Sequence, residues 1–248
     1  MNLLLVASAI ALATPGEGHL DHGPQLGKLS FPTSCSAQAS GQFELGLRWL
    51  HSFEYDRAER EFTRAADADP TCAIAHWGVA MANYHPLWAP PTAAELAKGK
   101  AAVAKARAAG AKSKREQDYI AAIGAFYDGS ETLDHKTRAM AYNSAMAQLH
   151  ERYPADREAG VFYALSQVTA GTLDKDPGYA REKSAAAILD AVPYRKGDGT
   201  AAGDAATHDG SPAKRRLAAR ARDRVVEFAA RHHRVTDFAR RATDLAQG

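Results

Sequence analysis

Residues 38–70 read QASGQFELGLRWLHSFEYDRAEREFTRAADADP, and the spacing of their small and bulky side chains predicts two antiparallel helices. Leu45-Gly46 is followed three residues on by Trp49, and a second run carries Ala58, Phe62 and Ala65 before Asp69-Pro70. Gly46, Ala58 and Ala65 are small enough to let two helix backbones approach closely, while Leu45, Trp49 and Phe62 fill the seam. Pro70 lacks an N–H and cannot continue a helix, so the second helix ends there and the chain turns into a further unit.

Reading on from Pro70, Ala73 to Tyr84 repeats the pattern, with small Ala80 in the place that Gly46 holds in the first pair. His85-Pro86-Leu87-Trp88-Ala89-Pro90-Pro91 is then a stiff aromatic-proline loop. Thr92 with Glu95 forms a capping box that starts a helix running to about Ala109, and Gly110 is placed to end it. Ser113 with Glu116 repeats the capping-box logic, and helices are predicted over 113–127, 135–153, 157–170 and 177–192, with Pro154 closing one and Asp176-Pro177 opening another. No stretch alternates like a strand. The predicted fold class is all-α, built of stacked antiparallel helix pairs as an α-solenoid.

Residues 3–12 are a run of Leu, Val, Ile and Ala with one Ser, too short to span a bilayer, followed by the small-x-small site Ala11-Leu12-Ala13 and the helix-breaking Thr14-Pro15-Gly16. This predicts a signal peptide over 1–13 and a destination outside the cytoplasm, periplasmic or secreted, although no Lys or Arg precedes the run. An extended leader over 14–35 follows. The two cysteines of the chain, Cys35 and Cys72, flank the first helix pair, and a hairpin returns the chain to where it began. In an exported protein such a pair is expected to oxidise to a disulfide; in a cytosolic one the pair would be two free, buried thiols.

At 248 residues, 46% hydrophobic and 24% charged, the chain can bury a sizeable core. Its net charge of +2 gives no argument for nucleic acid, and no later apolar stretch approaches membrane-spanning length. From residue 193 onward there are 12 Lys and Arg against 7 Asp and Glu. Gly197, Gly199, Gly203 and Gly210 make 193–211 a flexible linker by composition, and 212–248 reads as a basic helix with Val225, Phe228, Val235 and Phe238 at helical spacing. That helix is open to three readings: a terminal cap on the repeats, a basic arm for an acidic partner or membrane surface, or a tail unrelated to the rest.

The region from Leu26 to about Asp190 resembles bacterial exported tetratricopeptide-repeat proteins. The resemblance rests on the repeat spacing of residues 38–70, in which Gln42 stands where Trp is usual. It rests also on Leu29-Ser30-Phe31-Pro32 with Ser34-Cys35, His51-Ser52-Phe53 with Tyr55 and Ala58, Cys72-Ala73 with Ala75-His76-Trp77-Gly78, Tyr84-His85-Pro86-Leu87-Trp88, and Phe162-Tyr163-Ala164-Leu165. It implies a repeat domain over 36–192, a scaffold role and no assigned catalytic residues.

In such an array the first helix of each pair lines a concave surface. The spacing places Phe43, Leu47, Leu50 and His51 there, with Ser40 beside them, and Trp77, Met81 and Tyr84 extend it. An apolar groove of this kind takes a peptide or an amphipathic helix of a protein partner; alternatively, the same side chains are core, covered by residues 17–34 or by later helices. Repeat domains that clamp a carboxyl terminus carry Lys and Asn where Phe43 and Leu47 stand here, which disfavours that ligand. No His-Glu-x-x-His, Gly-x-Ser-x-Gly, phosphate-cradling loop or Cys-x-x-Cys-His is present, so neither an enzyme nor a cofactor is expected. His76, His85 and Glu54 are the one trio that the first hairpin's end could bring together for catalysis. The alternative function is periplasmic metal handling through His19, His22, His76 and His85, with Asp21 between the first two.

Overall fold

Short polar side chains mark where the helices begin, because the first backbone N–H groups of a helix have no partner inside it. The computed structural model describes residues 29–87, 89–175 and 178–191. Eight α-helices follow one another there: α1 (Ala37–His51), α2 (Tyr55–Ala68), α3 (Ala73–Ala82), α4 (Ala93–Ala109), α5 (Lys114–Tyr127), α6 (His135–Arg152), α7 (Arg157–Asp174) and α8 (Ala180–Ala191). No strand occurs among the described residues, so the chain is all-α there. Ser36, Thr92, Ser113, Asp134 and Asp156 cap α1, α4, α5, α6 and α7 with side-chain oxygens. The Thr92–Glu95 capping box is complete, and Gly110 ends α4 in the left-handed conformation at φ 70°.

Ser113 departs from expectation in one respect. Its hydroxyl accepts from the Glu116 N–H at 3.2 Å, but the Glu116 carboxylate does not turn back to complete a box. It reaches instead to Ser34.

Each helix packs on the next, and α3 also touches α1 and α5. Phe62 of α2 shows how the first three helices close. Its buried ring lies against Gly46 of α1 and Gly78 of α3, where an added Cβ would come within 2.8 Å and 2.3 Å of ring carbons. Two glycines thus make the slot for one phenylalanine. Of the expected seam residues, Gly46, Ala58, Phe62 and Ala65 are buried, whereas Leu45 and Trp49 are half-buried. Arg57 lies over the Trp49 ring at 4.6 Å.

Cys35 and Cys72 are joined by a disulfide, which ties the residues before α1 to the start of α3. Such a bond fits a non-cytoplasmic protein. No helix among the described residues is long and apolar enough to cross a membrane. The expected signal segment 1–13, the linker 193–211, the basic helix 212–248 and the Asp176-Pro177 helix start lie outside the described residues.

Candidate functional site

Apolar side chains on consecutive turns of α1, α3 and α5 meet on one face, and what lies on that face is the chain itself. The residues expected to line an open groove are core. Phe43, Leu47, Leu50, Trp77, Met81 and Tyr84 are buried, and His51 is half-buried. The physical reason is that aromatic rings from elsewhere in the chain fill the space. Phe31, from the segment before α1, is 1% exposed and packs against Phe43 at 5.0 Å, Tyr119 at 5.1 Å and Trp77 at 5.8 Å between ring centroids. Phe162 of α7 meets Trp77 edge-on at 5.5 Å and stacks on His51 at 5.2 Å. Farther along, Tyr84 is enclosed by Phe126 and Tyr142, whose hydroxyl reaches the Met81 sulfur at 3.7 Å.

Residues 29–36 therefore form a strap across this face, and polar side chains hold its backbone. Arg115 is the lid of the Phe31 pocket. Its guanidinium lies 4.0 Å from the ring centroid and 4.9 Å from that of Tyr119, a cation–π arrangement on both. It donates to the Pro32 carbonyl at 3.1 Å and pairs with Asp156 at 2.6 Å. Burial alone would push the Arg115 guanidinium down, but the Asp156 hydrogen bond and nearby negative charge hold it above its ordinary value. Burial and Asp156 push the Tyr119 phenol well up, and its hydroxyl donates to Asp156 at 3.0 Å. Arg115 is thus a fixed cation and Tyr119 a fixed neutral donor.

Glu116 supplies the second anchor. Its two carboxylate oxygens accept the Ser34 backbone N–H at 2.8 Å and the Ser34 hydroxyl at 2.5 Å. Thr33 and Ser40 share a hydroxyl–hydroxyl bond of 2.7 Å. At the base of the strap, Ser36 N–H donates to Asp69 at 2.8 Å, and this bond with those from Thr71 holds the Asp69 carboxyl below the usual carboxylate range. The assembly offers an aromatic pocket with a cationic lid, a donor for a backbone carbonyl, and a carboxylate for an N–H and an O–H. These groups hold residues 31–34 of the chain itself by its ring, a carbonyl, an N–H and a hydroxyl; none forms a nucleophile–base pair.

The residues considered for other chemistry are dispersed. Glu54 pairs with Arg57 at 3.7 Å, and His85 lies 3.5 Å from Glu95 against the Tyr55 ring. His76 is half-buried, its pKa lowered by burial and by the charge of Lys105. His51 bonds Glu158 at 2.7 Å. Among the described residues no group of three or more His, Cys, Asp or Glu is placed to hold a metal ion; His19, Asp21 and His22 lie outside them.

Sequence reasoning missed Arg115, Glu116 and Asp156 as parts of this face. Glu116 carried a signal, but a local one, since Glu three residues after Ser at a helix start reads as a cap. Phe31 entered only as part of the Leu29-Ser30-Phe31-Pro32 stretch that carries the resemblance, with no place in the groove assigned to it. No protein-family model matches this chain, and neither a curated protein nor a solved structure matches it.

Proposed function

We propose that this chain is an exported tetratricopeptide-type scaffold of the periplasm that binds an extended segment of a partner protein on its α1–α3–α5 face and catalyses no reaction. The observation that carries the reading is the strap, a segment outside any helix whose ring sits in a side-chain pocket while charged side chains hold its backbone. Recognition of extended peptides generally divides in this way, with main-chain hydrogen bonds giving affinity and pockets giving specificity. The Cys35–Cys72 disulfide supports a compartment outside the cytoplasm, and the α1, α3, α5 contacts support first helices lining a common face.

Selection from a displayed library of random peptides tests this, using the full chain and its Phe31→Ala variant, each with the disulfide intact. Enrichment that is lost when Arg115→Ala is added is the expected result. No enrichment on either protein, with both shown to be folded, overturns the reading.

A further inference from the structure

The strap is more than a cover, because its four residues Phe31-Pro32-Thr33-Ser34 present their chemistry at fixed intervals to fixed partners. The ring enters between Phe43, Trp77 and Tyr119. One residue on, a carbonyl meets Arg115. Three residues on, a backbone N–H and a hydroxyl meet the two oxygens of Glu116. Glu116 is 1% exposed, and the Ser34 side chain is the only hydroxyl bound to its carboxylate among the described residues. A buried carboxylate is costly unless hydrogen-bonded, so this position demands donors from whatever lies on the face.

We propose that the α1–α3–α5 face recognises an extended segment of a partner protein bearing an aromatic residue followed three positions later by serine or threonine, and that residues 31–34 occupy the site in cis. The inference rests on the scaffold reading above and adds the ligand's chemical class and its competitor. Phe31 supplies the aromatic and Ser34 the hydroxyl. Because the strap is covalently attached, its effective concentration at the pocket reaches the millimolar range of short linkers, and a free peptide competes poorly until Phe31 is withdrawn. Arg115 and Glu116 are specificity residues here: the first reads a carbonyl one residue after the ring, the second an N–H with a hydroxyl.

The experiment is calorimetric titration of the full, disulfide-closed chain with a blocked synthetic peptide, Leu-Ser-Phe-Pro-Thr-Ser, the sequence of residues 29–34. Phe31→Ala is expected to bind it at least tenfold more tightly than the unmodified chain. Replacing the peptide's Phe by Ala is expected to abolish that binding, and replacing its final Ser by Ala to weaken it about tenfold, which corresponds to roughly 1.4 kcal/mol. A folded Phe31→Ala protein that ignores the peptide overturns the proposal, as does equal binding of the two altered peptides.

Should Phe31→Ala not fold, amide hydrogen exchange on the unmodified chain decides. The site reading expects Ser34 to exchange at least tenfold faster than buried amides of α1, α3 and α5, because the strap opens without the helices. Equal protection makes the strap part of one cooperative core and overturns the proposal. Concentration-dependent dimers that the peptide dissolves assign the face to a second copy's strap, and overturn the partner reading. If library selection enriches peptides lacking the aromatic-x-x-hydroxyl pattern, the scaffold reading stands and this inference falls.

Discussion

Ser34 gives both its backbone N–H and its hydroxyl to the carboxylate of Glu116, at 2.8 Å and 2.5 Å, across 82 residues of chain. A residue two positions before Ser36, the cap of α1, is thereby fastened to the first turn of α5. The pairing closes the face shared by α1, α3 and α5, and it explains why that face is filled rather than open.

Glu116→Ala should destabilise the protein by about 2 kcal/mol, the scale for losing charge-assisted bonds that leave a donor unpaired. Ser34→Ala, which keeps the N–H arm, should cost less. Urea unfolding of both variants and the double variant gives the coupling between the two side chains. A coupling near zero would show that the contact contributes nothing to the fold.

Gly46 and Gly41 belong to the same helix and should respond in opposite directions to alanine. A Cβ at Gly46 would lie 2.8 Å from the Phe62 ring, whereas at Gly41 it meets nothing within 4 Å. Gly46→Ala should therefore cost about 1–3 kcal/mol through overpacking. Gly41→Ala should stabilise by up to about 1 kcal/mol, because alanine favours an exposed helix position over glycine. Thermal melts that move in the same direction for both would contradict the packing described for α1, α2 and α3.

The fold was legible where local chemistry decides it. Thr92, Ser113 and Gly110 announce helix ends within a few residues, and the Gly46–Phe62 spacing announces a close helix pair. The Cys35–Cys72 bond was legible because a hairpin brings its own ends together. The face itself was not. A pattern of apolar residues on α1 and α3 is the same whether solvent, a partner or the chain's own rings lie opposite. Deciding between them required knowing that Phe31 and Phe162, from 12 residues before and 119 residues after Phe43, converge on one place. Long-range pairings such as Ser34–Glu116 and Arg115–Asp156 leave no periodic trace, since each member also has a plausible local role in capping or on the surface.

Opening the disulfide should lower stability by about 3–4 kcal/mol, the chain-entropy estimate for a bridge of this span, with Cys35 and Cys72 separated by 37 residues. The double replacement Cys35→Ser with Cys72→Ser should show the same loss in urea as dithiothreitol-treated protein. Cys72 is buried and Cys35 half-buried, so alkylation after reduction should label Cys35 first. An unchanged unfolding midpoint would mean that the strap's hydrogen bonds already fix the chain without the bridge.

Acid should weaken the protein well above the carboxylate range, and His135 is one source. Burial, reinforced by the charge of Arg138, lowers its pKa from the ordinary 6.5, with Asp134 opposing; it is also the first residue of α6, where a cation faces the positive helix end. The unfolded chain takes up this proton near pH 6.5 and the folded chain only at lower pH. Between those points the unfolded state binds more protons, so stability rises with pH there. The contribution is complete above about pH 6.5 and is lost as pH falls through the folded value. His76, also lowered by burial, acts in the same direction. Asp118 does not interfere in this window: burial pushes its carboxyl up, but Lys114, Arg152 and Tyr153 hold it below its ordinary 3.8, so its share is lost only in stronger acid. Urea midpoints at pH 7.5 and pH 5 should therefore fall less for His135→Gln than for the unmodified chain. An equal fall would show that the protonation of His135 is not linked to folding, and would leave His76 as the histidine to replace next.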